Sequence, residues 1–176
     1  GIMNKMVLNY EQLRLWSKCY NLVTEKFKDK VDRGGKPYIE HLEHVAYKFP
    51  LFEYMLAGLL HDILEDTDVC SNELRAMGVP EEVVEAVILI SWIEGVATYD
   101  GYLKYIQQVA DSGNKIAIFV KLEDLRHNSD TSRLKEKDLK NDNVIQRLKK
   151  YKEAIEILEN VLYKVPPRDK HIKQKA

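Results

Sequence analysis

The sequence has little of what disulfide-rich, membrane-spanning or secreted proteins need. Its only two cysteines, Cys19 and Cys70, are far apart and do not have the spacing of a metal site. Such cysteines are typical of a reducing compartment. No apolar run approaches the roughly 20 residues of a membrane-spanning helix, and the N-terminus does not resemble a signal peptide. We therefore expect a cytoplasmic protein with no membrane partner.

The chain also lacks an excess of charge of either sign. It has 27 Lys and Arg against 28 Asp and Glu, a net charge of −1. Dedicated nucleic-acid binders usually have a clear basic excess, so we expect no nucleic-acid polymer as partner. A length of 176 residues predicts one domain. We place it at residues 1–163, followed by a basic Pro-Pro tail at 164–176. Whether the chain forms a homo-oligomer is left open.

Proline and glycine are scarce, with five and eight residues, and they separate long segments of helical periodicity. No segment alternates convincingly between apolar and polar residues. The run 115–122 is β-branched enough for a buried strand, but it would have no partner strand, so we favour a helix. The sequence predicts an all-α single domain, a bundle of about seven to nine helices. The predicted helices cover residues 10–28, 38–49, 52–66, 71–77 (with Ser71 as N-cap), 81–93, 102–110, 115–128 and 144–163.

One apolar segment, residues 57–67, carries an unusual density of polar groups. His61 and Asp62 are adjacent, and Glu65 and Asp66 follow one turn later. On a helix the three acids would face broadly the same way, with His61 about 100° around from Asp62. Burying these groups without partners would be costly, and a divalent metal is the simplest compensating cation. We interpret this segment as the centre of an active site.

Metal-ligand residue types occur in two further segments. His41 lies on the predicted helix after the Gly-Gly loop, and Asp124 ends an apolar run. With His61 and Asp62 they make a mixed nitrogen and oxygen set, which suits Mn, Fe, Co or Zn better than Ca. Four ligands leave positions for substrate and for a water, whose lowered pKa makes it a nucleophile at neutral pH. His44, three residues after His41, competes with it as the ligand.

Each of these residues also has an ordinary structural explanation. A lone histidine such as His41 is more often a satisfied core or surface residue, and the 61–62 dipeptide is common by chance. Asp124 could cap a helix or pair with Arg126, and the 65–66 acids could be a solvated helix end. Polar groups at the ends of three separate apolar segments nevertheless call for a common explanation.

Three segments together resemble a known family. They are Gly-Lys-Pro-Tyr-Ile-Glu-His (35–41), Leu-Leu-His-Asp-Ile-Leu-Glu-Asp-Thr (59–67) and Val-Lys-Leu-Glu-Asp-Leu-Arg-His-Asn (120–128). The order His, His-Asp, Asp resembles the HD superfamily of metal-dependent phosphohydrolases. The Glu-Asp-Thr after the His-Asp pair is similar to the hydrolase domain of RelA/SpoT-type proteins, including the small stand-alone hydrolases. The resemblance covers residues 10–163.

The resemblance implies a reaction, removal of the 3′-pyrophosphate of ppGpp or pppGpp. It implies that one metal, Mn²⁺ in that family, is held by His41, His61, Asp62 and Asp124. Glu65 and Asp66 would orient or activate the water and help to protonate the leaving oxygen. Contacts to phosphate or sugar would come from Asn128, Lys121, Arg126 and Arg33.

Two segments depart from the family pattern. The family usually has Asp-Arg-Leu-His-Asn, whereas here Leu125 precedes Arg126, which moves the guanidinium by about 100° on a helix. The basic segment that precedes the first motif in the family is not recognisable. The resemblance therefore implies metal chemistry more directly than guanosine specificity.

Two alternatives to a ppGpp hydrolase remain at this point. One is a nucleoside monophosphate phosphatase or another phosphoesterase of the same superfamily. The other belongs to a different class, a non-catalytic nucleotide-binding helical module that keeps the metal site for structure or binding.

Overall fold

The computed structural model describes residues 7–91, 98–132 and 134–163. Within these ranges the chain is helical, with one isolated bridge between Val31 and Pro37 and no strand. The expected all-α fold is confirmed. Residues 164–176, for which we predicted a basic tail, lie outside the described ranges. The helices are α1 (Tyr10–Lys26), α2 (Tyr38–Ala46), α3 (Phe52–Leu60), α4 (Ile63–Asp66), α5 (Ser71–Ala76), α6 (Glu81–Ile90), α7 (Tyr99–Asp111), α8 (Lys115–Asn128), α9 (Glu136–Leu139) and α10 (Asp142–Tyr163).

Helix α3 is the centre of the core. Seven of its nine residues are buried, and Leu56, Ala57, Leu59 and Leu60 are completely inaccessible to solvent. A helix that is apolar on all sides must be surrounded by other elements, and α3 packs against α1, α2, α6 and α8. The C-terminal end of α3 therefore delivers the next residue, His61, into the interior.

Helices α2 and α3 approach each other closely at Gly58. A Cβ placed on Gly58 would lie 2.9 Å from the Cα of Ala46. Only a residue without a side chain allows this spacing. The close approach brings the buried face of α2, including His41, next to the end of α3.

Helices α7, α8 and α10 pack together, and α8 also packs against α2 and α3. Helix α8 covers Lys115–Asn128 as predicted, so the strand alternative for its apolar run was wrong. The side chain of Asn114 accepts a hydrogen bond from the main-chain N–H of Ala117 and caps the helix at its start. The apolar faces of α8 hold Asp124 in the interior.

The prediction of one continuous helix over residues 52–66 was wrong. Helix α3 ends at Leu60, His61 and Asp62 form a turn, and α4 is a single turn of four residues. Helical periodicity does not reveal such a break, because apolar residues continue on both sides of it. Among the described residues, α4 and α9 are single turns of four residues, and the eight longer helices agree with the seven to nine expected.

Smaller differences concern helix ends. The N-cap of α5 is Cys70, and Ser71 is its first helical residue, which corrects our prediction. Helix α7 begins three residues earlier than expected because the side chain of Thr98 accepts the N–H of Gly101. Helix α6 ends at Ile90, and residues 92–97 lie outside the described ranges. In the part of the chain that the structure describes, no helix is both long and apolar enough to cross a membrane.

Candidate active site

Four side chains from three segments converge in the interior. His41 comes from α2, His61 and Asp62 from the turn after α3, and Asp124 from α8. Each offers one ligand-type atom, and these atoms all lie within 4.8 Å of one another. All four residues are buried, with at most 9% of their surface exposed. The cluster therefore has the composition and the size of a metal site.

The residues of the turn after α3 contribute two of the four side chains. The side chains of His61 and Asp62 approach each other, whereas we expected them to be about 100° apart on a helix. His61 Nε2 lies 3.2 Å from Asp62 Oδ2 and also 3.2 Å from Asp124 Oδ1. His41 Nε2 lies 2.9 Å from Asp124 Oδ1. The ring nitrogens and carboxylate oxygens thus point toward a common centre.

The charges of the cluster depend on one another. Burial alone would raise the pKa of Asp124, but the Lys121 ammonium and His61 hold it well below its ordinary value. Burial would lower the pKa of His61, but Asp62 and Asp124 hold it well above its ordinary value. Two buried carboxylates that favour nearby positive charge are the environment in which a divalent cation is stabilised.

A second layer of residues orients the cluster. The Tyr38 hydroxyl donates a hydrogen bond to Asp62, and His61 Nδ1 lies 2.6 Å from the Gly58 main-chain oxygen. Lys121 pairs with Asp124 Oδ2 at 2.9 Å, and the Asn128 amide donates to Asp124 Oδ1 at 3.0 Å. Lys121 and Asn128 were expected to contact substrate; in this structure both contact Asp124.

The two histidines of α2 differ in position. His41 is buried beside Asp124, whereas His44 is exposed and its ring stacks on His127, with centroids 3.9 Å apart. Of the two, the structure brings His41 into the cluster. His127 in turn places its Nδ1 2.7 Å from His41 Nδ1.

The acid pair lies beside the cluster, at the edge of a cavity. One oxygen each of Asp62, Glu65 and Asp66 lie within 4.8 Å of one another. Burial, and then the charge of Asp62, raise the pKa of Glu65 to about 7. Asp66 forms an ion pair with Lys30 at 2.8 Å. Glu65 therefore exchanges a proton close to neutral pH.

The cavity has a volume of about 420 Å³. Its wall has six carboxylates, which belong to Asp32, Asp62, Glu65, Asp66, Asp124 and Asp130. The other polar side chains of the wall are four cations, four tyrosines and one amide. They are Lys30, Arg33, Lys121, Arg147, Tyr38, Tyr102, Tyr105, Tyr151 and Asn128.

Two cations of the cavity wall, Arg33 and Arg147, have no ion-pair partner among the described residues. Lys30 and Lys121 have carboxylate partners. Lys150 lies beside the wall, with its ammonium over the rings of Tyr102 and Tyr151. Burial and the nearby Arg33 guanidinium lower the pKa of Arg147, and burial, Arg33 and Arg147 lower the pKa of Lys150. Cations gathered in this way favour an anionic ligand.

Arg126 is not part of this arrangement. It pairs with Glu123 at 2.7 Å and with Glu159 at 3.2 Å, and it does not line the cavity. It follows Asp124 by two residues and so lies about 200° around α8 from it. The structure therefore does not support the expected contact between Arg126 and the substrate.

Several residues of the site were missed from the sequence. Tyr38 lies inside the first motif, but its hydroxyl partner belongs to the second. Arg147 and Tyr151 lie four residues apart on one face of α10, a spacing that could have suggested a shared surface. Lys30 precedes the first motif, in a segment without a recognisable pattern, and its partner Asp66 belongs to the second motif. Their role depends on how α10 and the 30–33 loop pack, which local patterns do not encode.

Comparisons with known proteins agree with this architecture. No family model matches the chain. The chain is 31% identical over 121 residues to the guanosine-3′,5′-bis(diphosphate) 3′-pyrophosphohydrolase of Aquifex aeolicus, a match that covers 66% of this chain but 16% of that protein. The chain thus spans less than one fifth of the relative's length.

A solved structure shares the fold. It is that of a metazoan ortholog of SpoT, described as hydrolysing ppGpp, and it matches with a TM-score of 0.61 at 16% identity. The match covers 90% of this chain and 97% of the other. The expected resemblance to RelA/SpoT-type domains is confirmed by both findings. Over about two thirds of its own length the chain is similar to the Aquifex pyrophosphohydrolase, and it has the helical fold of the metazoan SpoT ortholog.

Proposed function

We propose that the chain is a metal-dependent phosphohydrolase that removes the 3′-pyrophosphate of ppGpp, pppGpp or a similar nucleotide. One observation carries the proposal: the four buried ligand-type side chains adjoin a cavity that also holds cations without protein partners. The first property suits a metal, and the second suits phosphates. The relative from Aquifex is named for this activity.

The metal would be held by His41, His61, Asp62 and Asp124. Two imidazoles and two carboxylates fit Mn²⁺, which we propose first, and Fe, Co or Zn as alternatives. When bound, the metal supplies Lewis acidity, which makes a water more acidic and stabilises charge on a phosphate oxygen. The Tyr38 hydroxyl keeps the Asp62 carboxylate oriented toward this centre.

Proton transfer is assigned to the acid pair. Glu65 borders the cavity and its pKa of about 7 lets it take a proton from water or return one to the leaving oxygen near neutral pH. Asp66, which forms an ion pair with Lys30, would help to orient the water. The two neighbouring carboxylates therefore take different roles because their surroundings differ.

The phosphates would be bound by Arg33, Arg147 and Lys150. These cations come from the loop before α2 and from α10, so a ligand bound to all three would bridge the two elements. Tyr102 and Tyr151 offer aromatic surface in the same cavity for a base or a sugar. Asn128 borders the cavity and remains a proposed contact to the ligand.

A nucleotide panel tests the proposal. Protein loaded with Mn²⁺ is incubated with ppGpp, pppGpp and nucleoside monophosphates, with Asp62→Asn as the control variant. We expect pyrophosphate from the guanosine polyphosphates and none from the variant. Free phosphate released from monophosphates would instead favour a nucleotide phosphatase. Binding of ppGpp without turnover would favour the non-catalytic module.

A further inference from the structure

The second nitrogen of His41 has an unusual partner. Nδ1 of His41 lies 2.7 Å from Nδ1 of His127. The ring centroids are 4.9 Å apart and the planes differ by 14°, which fits rings that meet edge to edge. Two nitrogens at this distance must share one proton, so one ring donates and the other accepts.

The other site histidine is oriented by the backbone. Nδ1 of His61 lies 2.6 Å from the Gly58 main-chain oxygen, which can only accept a hydrogen bond. Nδ1 of His61 therefore carries a proton, and Nε2 is the nitrogen left to face the cluster and to ligate a metal bound there. A histidine that binds a metal usually needs such an acceptor behind it. For His41, whose Nε2 faces Asp124, the atom in the equivalent place is Nδ1 of His127.

His127 is itself held in place by stacking. The ring of His44 lies against it with centroids 3.9 Å apart and planes 20° from parallel. His44 is one turn after His41 on α2, and His127 is one turn after Asp124 on α8. The two helices thus meet through a row of three imidazoles that runs from the exposed His44 to the buried His41.

We infer that His127 is a positioning residue: it accepts the Nδ1 proton of His41, fixes the tautomer that presents Nε2 to the metal, and is kept in register by His44. This inference rests on the proposed metal site. It assigns a second role to the 120–128 segment, which supplies a ligand, Asp124, and also orients a ligand from another helix.

Two substitutions distinguish the hydrogen-bond acceptor of His127 from its aromatic ring. His127→Phe keeps a ring for His44 to stack on but removes the acceptor. His127→Asn loses the ring but places an amide oxygen near the position of Nδ1. We expect His127→Phe to bind Mn²⁺ about 10- to 100-fold more weakly, as is usual when such a partner is lost. His127→Asn should stay close to wild type. Electron paramagnetic resonance of free Mn²⁺ measures the affinity.

Proton NMR of the Co²⁺-loaded protein gives a second readout. Nδ1 protons of ligand histidines appear far outside the normal spectral range, and we expect two in wild type, from His41 and His61. In His127→Phe the His41 signal should be lost through exchange with water while the His61 signal persists. In His127→Asn both should remain.

The outcomes are distinguishable. Unchanged affinity and both signals in His127→Phe would overturn the inference, as would equal losses in both variants, because the ring rather than the acceptor would then matter. Wild type that binds neither Mn²⁺ nor Co²⁺ would overturn the metal site itself. If His127→Phe does not fold, His44→Ala at its exposed position replaces it. We expect weaker Mn²⁺ binding and a broadened His41 signal, and no change would count against the inference.

Discussion

Gly58 and His61 are linked by a hydrogen bond of 2.6 Å between the main-chain oxygen of the glycine and Nδ1 of the histidine. The same glycine is the point at which α3 lies against Ala46 of α2. One residue therefore sets both the spacing of two helices and the orientation of a site histidine. Its substitution should affect stability and metal binding together.

Gly58→Ala should destabilise the fold. The added methyl would lie 2.9 Å from the Cα of Ala46, so the helices must separate, and such overpacking costs about 1–3 kcal/mol. Chemical denaturation measures the free energy of unfolding. Gly34→Ala is the control, since its added Cβ would meet only the Asp32 carboxylate oxygen at 3.3 Å. Equal stability of the two variants would show that the close approach is not needed.

Metal binding and proton transfer should be separable. We expect Asp124→Asn to lose the metal and the activity, whereas Glu65→Gln keeps the metal and loses about 10²–10⁴ in kcat, as is typical of a general acid or base. Elemental analysis and nucleotide turnover measure the two effects. Glu123→Gln is the control, because it neighbours Asp124 but pairs with Arg126. Metal loss in both Asp124→Asn and Glu65→Gln would contradict the assigned roles.

Glu65 should also give the metal-free protein a pH-dependent stability. Its pKa is raised in the fold from 4.5 to about 7, so the fold prefers the neutral carboxyl. The stabilising contribution of the neutral carboxyl is fully present below 4.5, the pKa in the unfolded chain. It is lost as the pH rises through about 7, the pKa in the fold. Glu65→Gln should therefore resemble wild type near pH 5 and be more stable than wild type at pH 8.

Thermal unfolding in chelator across this pH range measures the difference. Glu82→Gln, an exposed position on α6, is the control and should show no such trend. A constant difference between Glu65→Gln and wild type would mean that the fold does not favour the neutral carboxyl.

Substitutions of Arg147 and Arg126 should differ in their effect on the KM for the substrate. Arg147→Ala should raise KM for ppGpp about tenfold or more, because a charge-assisted hydrogen bond contributes ~1.5–3 kcal/mol. Arg126→Ala should change KM by less than about twofold, since it loses only partly exposed ion pairs with Glu123 and Glu159. Steady-state kinetics measures both. A larger increase in KM for Arg126→Ala than for Arg147→Ala would mean that Arg126, and not Arg147, contacts the substrate.

The sequence was informative where one of two local structures could be excluded. Helix α8 was predicted because its apolar run, as a strand, would have had no partner, and Asp124 was expected at the end of that run. The convergence of His41, His61 and Asp124 was expected only through the family resemblance, because no local rule states which helices will pack together.

The missed features depend on tertiary contacts. The turn at 61–62 interrupts an apolar run and contains neither glycine nor proline, so the local sequence does not predict it. The neighbours of His41 and Asp62, which are His127 and Tyr38, come from other motifs. Arg126 was kept as a proposed contact from its motif, although its exchange with Leu125 already indicated a different face of the helix, where it pairs with Glu123 and Glu159.

The four ligand-type residues of the candidate metal site are spread from position 41 to position 124, on segments that meet only in the native core. An ion bound there would act as a cross-link between α2, α3 and α8. Because the unfolded chain cannot hold the ion in this geometry, binding would also resist unfolding, by ~2.7 kcal/mol at a concentration 100 times the Kd. Metal supply would then govern the lifetime of the protein against proteases as well as its activity.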